Sequence, residues 1–577
     1  MSAASAKRSG LIALLVVSLG GPLSQPSAAP AQAPEVVRLP FPQYDGTLTP
    51  YTFELGYPLV TLVYDTLMWR DANGIPRPWL ARSVARSQNG RRVTVRLRPG
   101  LRWHDGRPVT AADVAFTFRY IAARFQPRFT PQLAGVKRVR ATGRLTATID
   151  LRRASVGFED QPLADVPMLP RHLWRGVPEG RTPAGLPVGS GPYRLVSARK
   201  STGYRFRANP GYFRGAPRVP ELRVPIIDDA ERTYTALRER KIDMVPLNLP
   251  RRSAEELDAT LGIDLARGPS YVGTALLLNV RRAPFDSPAA RRAVAAALDL
   301  QRIARNVAPA EPAVGGFVHP ASRWSAAARV HRFDLRAARR AVTSLRLPRL
   351  RIMAPTNDPI RLEAGRQVVL ALERAGAAAT LVEVSGGRLG RAIGEEGAPP
   401  RFDAAIQSIP SLVSYDPDYL RVLFGSAARA APLNFSGYRS TAFDALARRI
   451  TSASDRAERR VAVRAELDRL ARDAPSIPLV FSDGAYAYRS SVYKGWVFVK
   501  GTGILDKRSF LPGEVPVRQA PGRGAREADV AGRQARPATS DSGFSLVNII
   551  SLGVLAIVVL LAGAALGQAV SRPKPKP

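Results

Sequence analysis

Between Arg91 and Gly100 the chain alternates, with Val93, Val95 and Leu97 apolar, polar residues between them, and Pro99-Gly100 closing the run. A period of two predicts a strand with one wet face. The period then changes. Thr110 predicts an N-cap, Asp113 completes a capping box, and Val114, Phe118 and Ile121 follow along one helical face. The same succession recurs downstream. Leu145–Arg153 predicts a strand; residues 231–246 predict a helix running into a buried strand; Gly273–Val280 predicts a strand buried on both faces. Ser287–Val307 predicts one amphipathic helix with Pro288 in its first turn, and residues 361–384 and 456–482 each predict a helix followed by a strand. This alternation predicts an α/β fold of more than one lobe. No internal repeat interrupts it.

Two apolar runs stand outside that pattern. Lys7 and Arg8 precede the short run Leu11–Leu19 and a stretch of small residues, which predicts a signal peptide over residues 1–31. The second run, Ile549–Leu566, carries no charge. As a helix it would reach roughly 27 Å, close to the hydrocarbon thickness of a bilayer. It predicts a membrane helix over residues 546–570 with a short basic tail, 571–577, in the cytoplasm. Residues 516–543 before it lack aromatic residues and periodicity and read as a disordered tether, with an end-to-end distance of roughly 30 Å. The expected product is exported and anchored to the outer face of the cytoplasmic membrane.

Composition narrows the chemistry. The chain of 577 residues has no cysteine, which excludes disulfides, thiolate metal sites and a cysteine nucleophile. The formal net charge of +38 could suggest nucleic acid, but nine of the 85 basic residues are lysines and the arginines are scattered through every segment. That scatter argues against a nucleic-acid face and leaves only a general attraction to anionic surfaces. His104-Asp105-Gly106 lies between a strand end and a helix cap, where Asp-Gly is ordinary turn chemistry. His172, His319 and His331 stand at no recognisable ligand spacing from it, and HExxH, GxSxG and Walker-type motifs do not occur. The pair reads as a turn, and neither an enzyme nor a cofactor is expected.

The same stretch, LRPGLRWHDGRPVTAADVAFTFRY, closely resembles the signature of family-5 extracellular solute-binding proteins, the dipeptide-, oligopeptide- and nickel-binding components of ABC importers. Further blocks are similar in the same order: Val63–Val84, Gly189–Leu222, Leu276–Asp299 and Ala474–Phe481. The resemblance implies a two-lobed clamshell of the periplasmic-binding-protein type. One lobe would comprise residues 36–270 with 482–511 returning to it, and the other residues 271–481. It also implies a monomer that captures a peptide-like or other small solute between its lobes and delivers it to ABC permease subunits with their cytoplasmic ATPase. Nickel as such fits poorly with four histidines and no cysteine.

Within the resemblance, Ser408–Phe424 is similar to the family segment whose Asp pairs with a bound peptide's ammonium. Matching Asp416-Pro417-Asp418 to that pattern puts the carboxylate at position 413, which is Val413 here. Asp416 could substitute from a shifted loop, although Asp-Pro equally starts a turn. Tyr415, Ser414 and Ser411 could supply stacking and hydroxyl contacts, and Tyr271 stands at the implied lobe crossing. Asn209 and Asn279 are expected to satisfy local backbone groups, and Gly189 and Gly191 to serve close backbone geometry. Two alternatives stay open: the same clamshell acting as a membrane-anchored sensor or accessory protein without import, and a hydrolase, should His104 and Asp105 line the cleft.

Overall fold

Alternation over Arg92–Leu97 produces the expected strand, with Val93, Val95 and Leu97 buried. It pairs antiparallel with Ala81–Arg86 and Thr146–Leu151, and Val136–Ala141 completes a four-stranded sheet. This is a computed structural model that describes residues 34–516, apart from 54–55, 247 and 326–329. The expected signal peptide, membrane helix and basic tail, and all of the tether but its first residue, lie outside the described residues. Among the described residues no helix is long and apolar enough to cross a membrane.

The helix after the turn, Ala111–Ala123, carries the expected capping box between Thr110 and Asp113. Its apolar face, including Val114, Phe118 and Ile121, is buried against the four-stranded sheet. A second sheet has the order Val36–Arg38, Glu221–Val224, Gly203–Ala208, Tyr193–Arg199, with the first pair parallel and the others antiparallel. Side chains from both sheets share one core with Tyr488, Trp496 and Phe510 of the returning chain.

The third sheet has six strands in the order Ala310–Pro312, Ser476–Ser482, Gly273–Leu278, Ala404–Ile409, Leu350–Pro355, Ala379–Val384. Gly273–Leu278 is buried at all six positions, as its unbroken apolar run requires. Helices Pro288–Ala297, Leu300–Val307, Leu335–Leu345 and Pro359–Arg374 build one of its cores, and residues 412–481 contribute most of another. A two-stranded antiparallel ribbon, Asp264–Arg267 with Ala485–Tyr488, carries the chain toward this sheet and back. The molecule is therefore α/β and two-lobed: the two N-terminal sheets form one half and the six-stranded sheet the other.

Two local expectations change. The single helix over 287–307 is two, because Leu298 is extended and Asp299 caps a second helix by accepting from the Arg302 N–H. Of the buried strand expected after the helix Ala230–Arg238, the described residues keep one bridge, Met244 with Tyr488, and the bonds from the Val245 N–H to Ala487 O (2.8 Å) and from the Leu249 N–H to Ala485 O (3.0 Å).

The His104 turn works as a clamp. The His104 N–H donates to Gly189 O (2.8 Å), the Gly189 N–H donates to Nδ1 (3.3 Å), and Nε2 donates to Gly191 O (3.0 Å). An acceptor Nδ1 with a donor Nε2 is the neutral imidazole. Asp105 turns outward, where its Oδ1 accepts from the Arg107 N–H and its Oδ2 meets His172 Nε2 at 2.5 Å. His172 is thus a partner of Asp105, which its place in the sequence did not reveal. Gly189 is needed at this contact, since a Cβ there would come within 1.9 Å of Val63 O. Asn279 Nδ2 donates to Phe402 O and Asn209 Nδ2 to Gly191 O, both satisfying backbone as expected.

Burial, partly offset by the Gly191 hydrogen bond, pushes the His104 imidazole down from 6.5 to about 4. Between those values the unfolded chain binds the proton and the folded chain does not, so the clamp's stability is complete above 6.5 and lost as pH falls toward 4. The full difference is about 3 kcal/mol at 1.36 kcal/mol per unit. Urea unfolding at pH 7 and pH 4.5 should show the native chain losing about 2 kcal/mol more than His104→Gln, which cannot protonate. Equal losses would refute the clamp.

Candidate ligand-binding cavity

The strand Ala404–Ile409 runs out of the six-stranded sheet into Pro410, which starts the short helix Ser411–Tyr415. Asp416 then accepts from the Asp418 N–H (3.1 Å) and caps the turn Pro417–Tyr419. This path brings Tyr415 against the N-terminal half. Its hydroxyl donates to Lys500 O, and the Arg70 guanidinium lies 4.0 Å from its ring centroid. Burial drives the Tyr415 phenol well above its ordinary value, which keeps it neutral and a donor.

Around this junction lies a cavity of about 450 Å³. The N-terminal half contributes Tyr57, Trp69, Arg70, Arg128, Asp165 and the loop Val499–Asp506; the other half contributes Thr274, Asp358, Arg361, Ser408, Ser411, Leu412 and Tyr415. Asn248, Ser482 and Tyr486 close it where the chain crosses between the halves.

The charges in its wall are met within the protein. Arg128 holds Asp165 through two bonds, Nη2–Oδ1 at 2.8 Å and Nε–Oδ2 at 3.1 Å, with its guanidinium 3.9 Å from the Tyr57 ring centroid. Burial works to raise the Asp165 carboxyl, but Arg128 overrides it and the net shift is downward, so Asp165 stays ionised. Asp358 caps the helix Pro359–Arg374 and also accepts from Arg361 Nε at 2.7 Å. Arg70 donates to Ala164 O and Asp160 O, each at 3.0 Å. Asp506 Oδ1 accepts from Trp69 Nε1 (3.2 Å) and from the Arg508 N–H (2.9 Å), and burial raises its carboxyl. Three arginines thus face three aspartates in the lining. A wall of no net charge suits a neutral or zwitterionic guest, because an ion of one sign would enter without a counter-charge.

Three lining residues carry a buried polar atom without a partner among the described residues: Arg70 at Nε, Thr502 at Oγ1 and Asn248 at Oδ1. Asn248 Nδ2 donates to Ser482 Oγ (2.6 Å) and Ser270 Oγ (3.1 Å), whereas Oδ1 is buried without a partner among the described residues. It is an acceptor held ready for a guest's N–H or O–H.

The five residues singled out from the sequence separate in space. Ser411 and Tyr415 line the cavity. Ser414 is turned inward, where its Oγ accepts from the His319 N–H at 2.9 Å. Tyr271 packs edge-on against Tyr415, with centroids 5.2 Å apart, and donates to Ala321 O. Asp416 faces away from this cavity and is paired with the buried Arg459. Val413 is fully buried in a core of the six-stranded half. His104 and Asp105 do not line the cavity. Arg128, Asp165, Asn248 and Arg361 escaped the sequence reading. Asp358-Pro359 has the chemistry of a helix start, but nothing local says that this start faces the cavity. Among the described residues no group of three or more His, Asp or Glu could hold a metal ion.

A family model, bacterial extracellular solute-binding proteins, family 5 Middle, matches residues 76–429, more than half of the chain. The oligopeptide-binding protein AppA of Bacillus subtilis is 26% identical over 238 residues, 40% of this chain and 43% of that protein. A probable di/tripeptide-binding protein 5 of Pseudomonas aeruginosa is 27% identical over 305 residues, 48% of this chain and 57% of that protein. The chain thus spans about half the length of the curated relatives it matches. Among solved structures, AppA from Bacillus subtilis in complex with a nonapeptide superposes with a TM-score of 0.72 at 19% identity, covering 82% of this chain and 99% of that one. NikZ from Campylobacter jejuni in complex with Ni(L-His) gives 0.69 at 21% identity, covering 79% and 94%. At these identities the likeness establishes the fold.

Replacing Arg128 with Met would strand the buried Asp165 carboxylate, and chemical denaturation should show a loss of about 3–5 kcal/mol. Adding Asp165→Asn should restore a large part of it. A double variant no more stable than Arg128→Met would show that the pair is not what Asp165 depends on.

Proposed function

Because the chain belongs to the bacterial extracellular solute-binding proteins of family 5, we propose that it is the solute-capturing component of an ABC importer. It takes a small peptide-like or other zwitterionic or neutral polar solute and presents it to permease subunits served by a cytoplasmic ATPase. The observation that carries this reading is the 450 Å³ cavity lined from both halves, with its charges balanced and Asn248 Oδ1 left as an open acceptor. That volume lies toward the lower end of the range for small-molecule sites.

The mechanism is a shift of population. A guest touching Tyr57, Arg70 and Arg128 on one side and Thr274, Ser411 and Arg361 on the other binds the closed arrangement better than the open one. The moving parts are residues 36–270 with 482–511 and residues 271–481, hinged at the two crossings beside the ribbon. Ser411 and Tyr415 touch the guest. Tyr271 and Ser414 hold that segment in place, and Asp416 anchors it from behind. With Val413 in the core, a guest's ammonium is met by Asp165 or Asp358, each already beside an arginine, and a guest's carboxylate by the same arginines. No bond is made or broken. Relatives described as oligopeptide- and di/tripeptide-binding support the peptide-like class.

Native mass spectrometry of the exported protein should find one small solute at one copy per chain. Calorimetric titration with that solute should show Asn248→Ala and Tyr415→Ala each weakening binding about tenfold or more, the range for a lost hydrogen bond or aromatic contact in a desolvated site. Affinity unchanged in both variants would remove the cavity as the binding site.

The reading includes export and retention at the membrane by the apolar run Ile549–Leu566. Alkaline extraction of membranes should leave the full chain in the pellet and release a chain ending at Leu511. Release of both forms would dismiss the anchor.

A further inference from the structure

The segment that brings Tyr415 to the first cavity brings its neighbour Asp416 to a second. This one measures about 390 Å³, lies between residues 131–161 and residues 416–459, and shares no lining residue with the first. The partition between them is thin: Gln132 Nε2 donates to Asp165 Oδ2 at 2.7 Å, and Gln161 Nε2 reaches Leu412 O at 3.5 Å.

Its charge is unlike that of the first. Five arginines and two aspartates line it, and both aspartates are already engaged. Asp418 holds Arg421, with Nη2–Oδ2 at 2.8 Å, and Asp416 holds Arg459. Arg152, Arg153 and Arg448 are exposed on its lining and form no ion pair among the described residues. Arg459 is 1% exposed. Its guanidinium is wedged between Trp324, 4.6 Å from the ring centroid, and Gly157, where a Cβ would come within 2.3 Å of Nη1. Nε and Nη1 of this buried cation have no acceptor among the described residues. Idle donors on a desolvated guanidinium are unfavourable, and an oxyanion is the partner that its planar fork fits.

We propose that the second cavity binds a phosphate monoester carried on a short apolar body. The three unpaired arginines and the idle donors of Arg459 match a dianion better than a singly charged carboxylate. Phe158, Leu151 and Pro131 supply the apolar wall. Arg152 and Arg153 come from the N-terminal half and Arg448 and Arg459 from the other, so the same ligand holds the halves together beside the solute cavity. The site stands independently of what the first cavity binds.

The test is calorimetric titration of the full-length protein with hexyl phosphate and with hexanol, accompanied by sedimentation with vesicles containing phosphatidate, binding being counted as the excess over vesicles of phosphatidylcholine alone, which a membrane helix would engage equally. Hexyl phosphate or the vesicles should bind saturably and hexanol should not. The double variant Arg153→Ala/Arg448→Ala, altered only at exposed positions, should bind at least about tenfold more weakly, the low end for lost charge-assisted hydrogen bonds. Binding of hexyl phosphate identifies a soluble ester as the source, and binding of the vesicles alone a lipid headgroup. Failure of both, or equal binding by the double variant, overturns the proposal and leaves the reading of the first cavity untouched.

Discussion

A charge taken out of water has to be met inside the protein, and the space between the two halves is organised around that constraint. Lys507 and Asp65 are both fully buried and 2.6 Å apart, tying the returning chain to the N-terminal half. Asp65 Oδ1 also accepts from Trp79 Nε1 (2.9 Å) and the Tyr212 hydroxyl (3.1 Å), which fixes the carboxylate from several sides. Asp506, next to Lys507, reaches Trp69 in the cavity wall. The pairs Arg128–Asp165 and Arg361–Asp358 continue the pattern from opposite sides of the cavity. Between the halves, Arg323 pairs with Asp160 and Arg421 donates to Pro131 O at 3.2 Å. These contacts join the two halves directly.

Local pattern carried much of the fold. The period-two run at Val93–Leu97, the capping box at Thr110 and the unbroken apolar run Gly273–Leu278 each had one physical reading, and each element formed. The misreadings came where a local rule competed with a pattern. Apolar periodicity continued across Leu298-Asp299, but an Asp that can cap a new helix ended the old one. Apolar character after Arg238 predicts a strand, and among the described residues it pairs with the returning chain only around Met244 and Tyr488.

The site was less legible, because a cavity is assembled from positions far apart in the chain. Ser408–Phe424 was found through resemblance, and two of its residues, Ser411 and Tyr415, line the space. Helical geometry turned Ser414 toward His319, and the buried Arg459 drew Asp416 to the other side. Arg128 and Asp165 are 37 residues apart and carry no motif. Only the fold makes them a pair. Adjacent residues of one short segment thus line two cavities, Tyr415 the first and Asp416 the second.

Closure around a guest is the claim on which the functional account rests, and small-angle X-ray scattering measures it directly. The full-length protein, freed of its solute by unfolding, dialysis and refolding, should have a larger radius of gyration than the same protein refilled with the co-purified solute. A radius that does not change when the solute is bound one to one would contradict the account.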